Sequence, residues 1–186
     1  RKRYFQEEKN INRQYFDEYI DRFVKANSDR YEFIVKEATD YIRGSVKGYT
    51  VMDMFVSFSG GKDSTVTSDL VIRALSEPKI LHIFGDTTLE FPETIKYVER
   101  FKKEHPKTPV LSSRNKDKDF EELCQLVGPP SRVMRWCCTV FKTGAIQRKI
   151  KSLFKNKNKI ITFYGIRRSE SKSRSKYEKA LKLQSR

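Results

Sequence analysis

Hydrophobic and polar positions alternate along this chain in blocks, and the period switches from block to block. Val51 to Phe58 is apolar and β-prone, the length of one buried strand. Two glycines follow, and then Val66, Leu70, Val71 and Leu75 recur at helical spacing, which predicts a helix over Thr65 to Leu75. Lys79 to Phe84 reads as a second strand, and Pro92 opens a helix that carries Ile95, Tyr97, Val98 and Phe101 to about Glu104. A short strand over Thr108–Leu111, a helix over Phe120–Val127, a helix from near Thr139 to Phe154 and a strand over Lys159–Tyr164 complete the series. Strands that alternate with helices predict an α/β fold with a doubly wound, mainly parallel sheet. Ahead of it, Tyr15, Phe16, Tyr19, Ile20, Phe23 and Val24 form one helical stripe, and a second helical pattern runs from Tyr31 to Ile42. The expected organisation is an N-terminal helical appendage over residues 1–48, packed on the α/β domain or on a partner, and the α/β domain itself over 49–186.

Composition changes this picture in three ways. The 186 residues suffice for one α/β domain and an appendage, and the missing initiator Met and basic end suggest a piece of a longer protein. The formal charge of +15, from 39 Lys+Arg against 24 Asp+Glu, exceeds what a small-molecule site of this size needs; a polyanionic partner such as DNA or RNA and a solvated basic surface both account for it. No apolar run approaches the roughly eighteen residues of a membrane helix, no signal pattern opens the chain, and the expected location is cytoplasmic. The cysteines Cys124, Cys137 and Cys138 make no disulfide framework. The adjacent pair points to metal, cluster or redox chemistry, whereas Cys124 lies at an apolar helical spacing and reads as a buried thiol.

Candidate chemistry concentrates at strand ends. Ser59-Gly60-Gly61-Lys62-Asp63-Ser64 joins the first strand to its helix. Glycines there allow a tight turn and close approach to a ligand, and the free amides of a loop and first helical turn suit a phosphate. Ser59 and Ser64 add hydroxyls and Lys62 a cation; the spacing is not that of a Walker loop. Asp86 follows the second strand, where open α/β sheets bind ligands, and it serves equally well as a turn-forming Asp or as a partner of a nucleoside or of Mg²⁺. His82, among apolar residues, reads as a satisfied core histidine. Arg135-Trp136-Cys137-Cys138 leads into a helix bearing Lys142, and the last strand runs into Gly165-Ile166-Arg167-Arg168, where arginines are placed to grip phosphate or sulfate.

The Ser59–Ser64 segment resembles the PP-loop (SGGxDS) of the adenine-nucleotide α-hydrolases. Taken in order with Asp86–Thr94, Arg135–Lys142 and Gly165–Arg174, it resembles the phosphoadenosine phosphosulfate (PAPS) reductase family. The resemblance spans roughly Val51 to Arg174 and implies a Rossmann-like fold with a nucleotide over the C-terminal strand edge. It implies further that Ser59, Gly60, Gly61, Lys62, Asp63 and Ser64 hold phosphates, with Mg²⁺ at Asp63. Asp86 would lie near the nucleoside, Lys142 and Arg167 at the phosphate or sulfate end, and Arg168 in the same binding set. In the adenylyl-sulfate reductase branch a tandem such as Cys137-Cys138 supplies two ligands of a [4Fe-4S] cluster, a later pair supplies the other two, and a tail cysteine is catalytic. No cysteine follows Cys138 here, so such a cluster would need cysteines from outside this chain.

Three readings follow. The chain is expected to be a PP-loop ATP pyrophosphatase, converting ATP to AMP and pyrophosphate. In that role it would activate a substrate for sulfur transfer, as similar family members do in DNA phosphorothioation, with Lys62, Asp63, Lys142 and Arg167 catalytic. DNA and sulfur-transfer proteins are the expected partners. The alternatives are a reductase of adenylyl sulfate or PAPS that releases sulfite, and a non-hydrolysing nucleotide sensor within a DNA-acting complex.

Overall fold

The computed structural model describes residues 2–170, 172 and 174–176, with side chains from residue 13 onward except that of Arg168. Two compact units emerge, Arg1–Tyr41 and Ile42–Arg186. The first contains α1 (Lys2–Ala26) and most of α2 (Ser28–Ser45). The break between them falls at Asn27, whose side-chain amide donates to the Phe23 carbonyl at 2.8 Å while its own carbonyl accepts from the Tyr31 amide at 2.8 Å. The aromatic stripe, expected to pack on the α/β domain or on a partner, is exposed in this chain by itself: Phe16 keeps 62% of its surface and Tyr19 64%. Tyr19 stacks instead on Phe23, one turn along the same helix, with ring centroids 6.5 Å apart.

In the second unit a short 3₁₀ turn, Val51–Asp53, precedes β1 (Met54–Phe58). There follow α3 (Lys62–Leu75), β2 (Leu81–Asp86), α4 (Pro92–Glu104), β3 (Val110–Arg114) and α5 (Phe120–Val127). A π-helical stretch, Cys138–Gly144, leads into α6 (Ala145–Leu153) and then β4 (Ile161–Phe163). The four strands are parallel in the order β3-β2-β1-β4, with Phe58 level with Phe84, Asp86 with Arg114 and Val56 with Phe163. Apart from the π-helical stretch, expected and observed strands and helices of this unit agree in order and type, and the fold is the anticipated Rossmann-like α/β sheet. The Thr50 amide and hydroxyl and the Lys157 ammonium all bind Asp53, the ammonium at 2.5 Å, which fixes the entry into β1. These bonds, Lys157 first, hold the Asp53 carboxyl down at about 2.

Alternation along β1 puts Met54, Val56 and Phe58 on one face and Phe55 on the other. Met54 and Val56 face α3 with Val71 and Ile80, and Phe58 joins Phe84, Val98 and Phe101 beneath α4. Phe55 points to the opposite face and meets Phe154, just past the end of α6, at 5.9 Å between ring centroids. Gly85 lies on that same side, where a Cβ would come within 3.4 Å of Ile146 on α6. Both faces of the sheet are therefore covered, as doubly wound folds require.

His82 is fully buried on the α3–α4 side. Its Nδ1 lies 2.9 Å from the Ile80 carbonyl, which only accepts, so Nδ1 carries the proton and Nε2 accepts from the Ser68 hydroxyl at 2.7 Å. Burial pushes the imidazole below its ordinary 6.5, against the smaller opposing effect of the Ile80 bond. The unfolded chain therefore binds the proton first. Stability is complete above pH 6.5 and is lost as the pH falls below it toward the folded-state value. Urea midpoints are expected to drop on acidification from pH 6.5 to about 5, and in His82→Gln this slope flattens. A slope identical in wild type and variant would contradict the assignment.

Candidate functional site

β1 ends at Phe58, and the chain turns through Ser59–Gly61 into the first turn of α3. Gly60 is required there twice over. Its φ is +71°, and a Cβ would lie 2.9 Å from Val98 Cγ2 and 3.1 Å from Thr94 Cγ2 on α4. The two serines brace the loop: the Ser59 amide donates to Ser64 Oγ (3.2 Å), Ser64 Oγ donates to the Gly61 carbonyl (2.9 Å), and the Gly61 amide donates to Ser59 Oγ (3.4 Å). Thr65 Oγ1 adds a bond to the Gly61 carbonyl (3.1 Å) and lies 3.0 Å from Tyr97 Oη, which ties the turn to α4. Among the described residues the amides of Lys62 and Asp63 have no acceptor, so two donors and the positive end of the α3 dipole converge at the helix start.

Asp63 is the most connected of the expected site residues. Its Oδ2 accepts from Arg167 Nε at 3.1 Å and lies 4.0 Å from Lys62 Nζ. Arg167 Nη2 donates to Glu170 Oε1 at 3.2 Å, and Glu170 also pairs with Arg174. The Arg167 guanidinium is thus gripped by two carboxylates, and its Nη1 donates to no acceptor among the described residues. Gly165 makes this approach possible, because a Cβ there would lie 2.5 Å from the Asp63 carbonyl oxygen and 2.7 Å from Thr67 Oγ1. The loop after β4 is consequently packed directly on the first turn of α3. Arg168 opens a 3₁₀ turn, Arg168–Glu170, but its side chain lies outside the described residues, as do Ser171 and Ser173 of the same segment.

The register sets the remaining residues along one edge. Asp86 stands two positions beyond the Phe58–Phe84 pair, on the same C-terminal sheet edge as Ser59 and Gly60. Its Oδ1 accepts from the Thr88 amide at 3.0 Å, so it forms the turn, with Thr88 at φ +70°; Oδ2 has no partner among the described residues. Glu90 closes the same turn by accepting from the amide and hydroxyl of Thr87. Lys142 sits on the π-helical stretch, which lies against β2, and is exposed without a partner among the described residues. A regular α-helix was expected from Thr139. The extra residue in the turn is accommodated by Gly144, where a Cβ would lie 2.8 Å from the Thr139 carbonyl oxygen.

The cysteine segment is anchored by aromatic packing: Trp136 Nε1 donates to the Gly128 carbonyl at 3.1 Å, and its ring meets Phe120 (5.4 Å) and Phe141 (6.2 Å). Cys137, Cys138 and Cys124 are all half-buried, and Arg135 Nη2 lies 3.8 Å from Cys138 Sγ. Among the described residues no group of three or more His, Cys, Asp or Glu is placed to hold a metal. A four-thiolate cluster does not fit on Cys124, Cys137 and Cys138 alone, because they supply at most three of its four ligands. Arg114, Asn115 and Arg148 escaped the sequence reading. The rule that singled out Asp86, a polar residue at the carboxyl end of a strand, applies equally to Arg114 at the end of β3.

A family model for the phosphoadenosine phosphosulfate reductase domain matches residues 53–184. Two uncharacterized Methanocaldococcus jannaschii proteins, MJ0973 and MJ0066, are 33% and 31% identical over 86% of this chain. The chain spans 37% and 32% of their respective lengths, about a third of each. The NH3-dependent NAD synthetase of Campylobacter jejuni superposes with a TM-score of 0.52 at 14% identity, covering 75% of this chain and 58% of that one, a likeness of fold. A phosphoadenylyl-sulfate reductase from Candida auris superposes with a TM-score of 0.47 at 18% identity, covering 62% and 56%. With its strand–loop–helix site and a family match across most of its length, the chain belongs to the phosphoadenosine phosphosulfate reductase domain family.

Proposed function

We propose that this chain splits ATP between the α and β phosphates and so activates an acceptor for sulfur transfer, with DNA phosphorothioation as the setting. The observation that carries the reading is the Ser59–Ser64 turn together with the Asp63–Arg167 pair, which combines free helix-start amides with an oriented guanidinium. When pyrophosphate leaves, negative charge accumulates on its oxygens. The Lys62 and Asp63 amides, the Lys62 ammonium and Arg167 Nη1 are assigned to meet that charge, with Lys142 and Arg168 joining them. Asp86, at the same strand edge, is assigned to the nucleoside through its unpartnered Oδ2.

The donor set suits Mg²⁺ that arrives on the phosphates. Asp63 offers one carboxylate with Oδ2 already taken by Arg167, and Mg²⁺ commonly binds through one or two carboxylates plus phosphate oxygens and water. When bound, the ion would supply charge neutralisation of the phosphates. Gly61 and Gly60 would give the triphosphate its close approach, and Ser59 and Ser64 would keep the loop in shape to receive it. The basic excess supports a nucleic-acid acceptor, and the location proposed is the cytoplasm. Residues 1–48 and 49–186 are proposed as separate functional segments, the first serving partners.

Lys142→Ala and Arg167→Ala are each expected to lower pyrophosphate release about 10²- to 10³-fold, the usual cost of removing one donor to a developing anion, read in a coupled pyrophosphate assay. Wild-type rates in both would sink the reading. The family model's own description favours a second reading, reduction of adenylyl sulfate or PAPS, with sulfite as its product.

A further inference from the structure

The Ser59–Ser64 loop is not the only place built for an anion. Between the end of β3 and α6 lies a cleft of about 330 Å³ lined by Arg114, Lys116, Arg148 and Lys149, with Asp117 as its one carboxylate and Ser113 at its wall. Four cations against one anion leave a net positive lining. Among the described residues the side chains of Arg114, Lys116 and Lys149 form no ion pair or hydrogen bond, so their charge is left without a partner there. Ser113 is the independent sign of a ligand. It is 2% exposed, and its hydroxyl is the buried side-chain polar group that finds no partner among the described residues. Buried hydroxyls are ordinarily satisfied, and one left open in a basic cleft calls for an acceptor that enters from outside.

The cleft is also shaped in advance. Arg148 Nη2 donates to Asn115 Oδ1 at 2.8 Å, and Asn115, itself 7% exposed, donates from Nδ2 to the Lys118 carbonyl at 3.0 Å. One side of the guanidinium is therefore held while the rest faces the cleft, and fixed donors lose less entropy when an oxyanion binds. β3 is an edge strand, separated from β1 by β2. At about 4.8 Å per strand, the end of β3 stands roughly 10 Å from that of β1. A phosphate gripped by the α3 amides is not the group this cleft would hold.

We infer that the β3–α6 cleft is a second oxyanion site that takes a phosphate or sulfate group through Ser113 Oγ, Arg114, Lys116, Arg148 and Lys149. Titration of the protein with inorganic phosphate at constant ionic strength, followed by NMR at the Ser113, Arg114 and Arg148 amides, tests it. Saturable shifts are expected at these amides. In Lys116→Ala/Lys149→Ala, which removes one exposed and one half-buried cation whose side chains have no polar partner among the described residues, affinity there should fall by about tenfold or more while the Lys62 and Asp63 amides respond as before. Ser113→Ala should weaken the same response without moving the melting temperature downward. Absence of saturable shifts, or an unchanged affinity in the double variant, would overturn the inference. Competition then identifies the source. Displacement of phosphate by a short DNA duplex, lost in the double variant, assigns a backbone phosphate; displacement by ATP assigns the nucleotide's own tail.

Discussion

Asp63→Ala is expected to abolish pyrophosphate release from ATP, by more than the 10²- to 10³-fold of a single lost donor, while the domain stays folded. The asymmetry follows from position. Asp63 lies in the first turn of α3, where a carboxylate interacts favourably with the helix dipole by about 0.3–1 kcal/mol. Its pair with Arg167 is half exposed on the arginine side and adds at most about 1 kcal/mol. A melting temperature lowered by a few degrees is the expected cost to stability. In the proposed reaction activity loses more, because Asp63 binds Arg167 and approaches Lys62, and its second oxygen would be the one offered to Mg²⁺ arriving on the phosphates. Circular dichroism melts and a pyrophosphate assay on the same preparation separate the two effects. An inactive variant that is also unfolded would return Asp63 to a structural role.

Gly165→Ala is expected to have the largest effect on the architecture of the site. The new methyl would meet the Asp63 carbonyl oxygen at 2.5 Å and Thr67 Oγ1 at 2.7 Å, and Thr67 already spends its hydroxyl on that same carbonyl at 2.8 Å. Neither neighbour is the loose end of a flexible side chain. The loop after β4 must therefore move off α3 and take Arg167 away from Asp63. Overpacking of this kind costs about 1–3 kcal/mol, and the displaced guanidinium should lower pyrophosphate release by about tenfold or more. Gly165→Ala with wild-type melting and wild-type turnover would show that the two loops do not depend on this contact.

The sequence was most legible where local chemistry decides structure. The period switch at Gly60-Gly61 and the Pro at the start of α4 act within a few residues, and those elements appear where their signals lie. Strand limits were less legible. β2 and β3 begin two residues later than Lys79 and Thr108, because pairing register, a tertiary property, sets their ends. The π-helical turn was hidden because Val140, Phe141, Ala145 and Ile146 keep an apolar pattern compatible with a regular helix; the isolated Gly144 was the one local clue. The aromatic stripe of α1 gave an apolar face but not its cover, since amphipathic spacing reports a face and not what packs on it.

The candidate site divides along the same line. The Ser59–Ser64 loop announces itself in six consecutive residues. The pairing of Asp63 with Arg167 joins positions 104 residues apart and depends on parallel strand order. The basic cleft draws Arg114 and Lys116 from one segment and Arg148 and Lys149 from another, each unremarkable in a chain with 39 basic residues. Only packing of α6 against the sheet brings them to one place.

The central claim is cleavage of ATP between its α and β phosphates, and product analysis with α-labelled ATP and Mg²⁺ tests it most directly. The protein is best taken full length and prepared without oxygen, so that any cysteine chemistry is preserved. Labelled AMP together with pyrophosphate is expected, both lost in Asp63→Ala. Intact ATP, with sulfite released from adenylyl sulfate or PAPS in the presence of a thiol reductant, would contradict it and place the protein among the sulfonucleotide reductases.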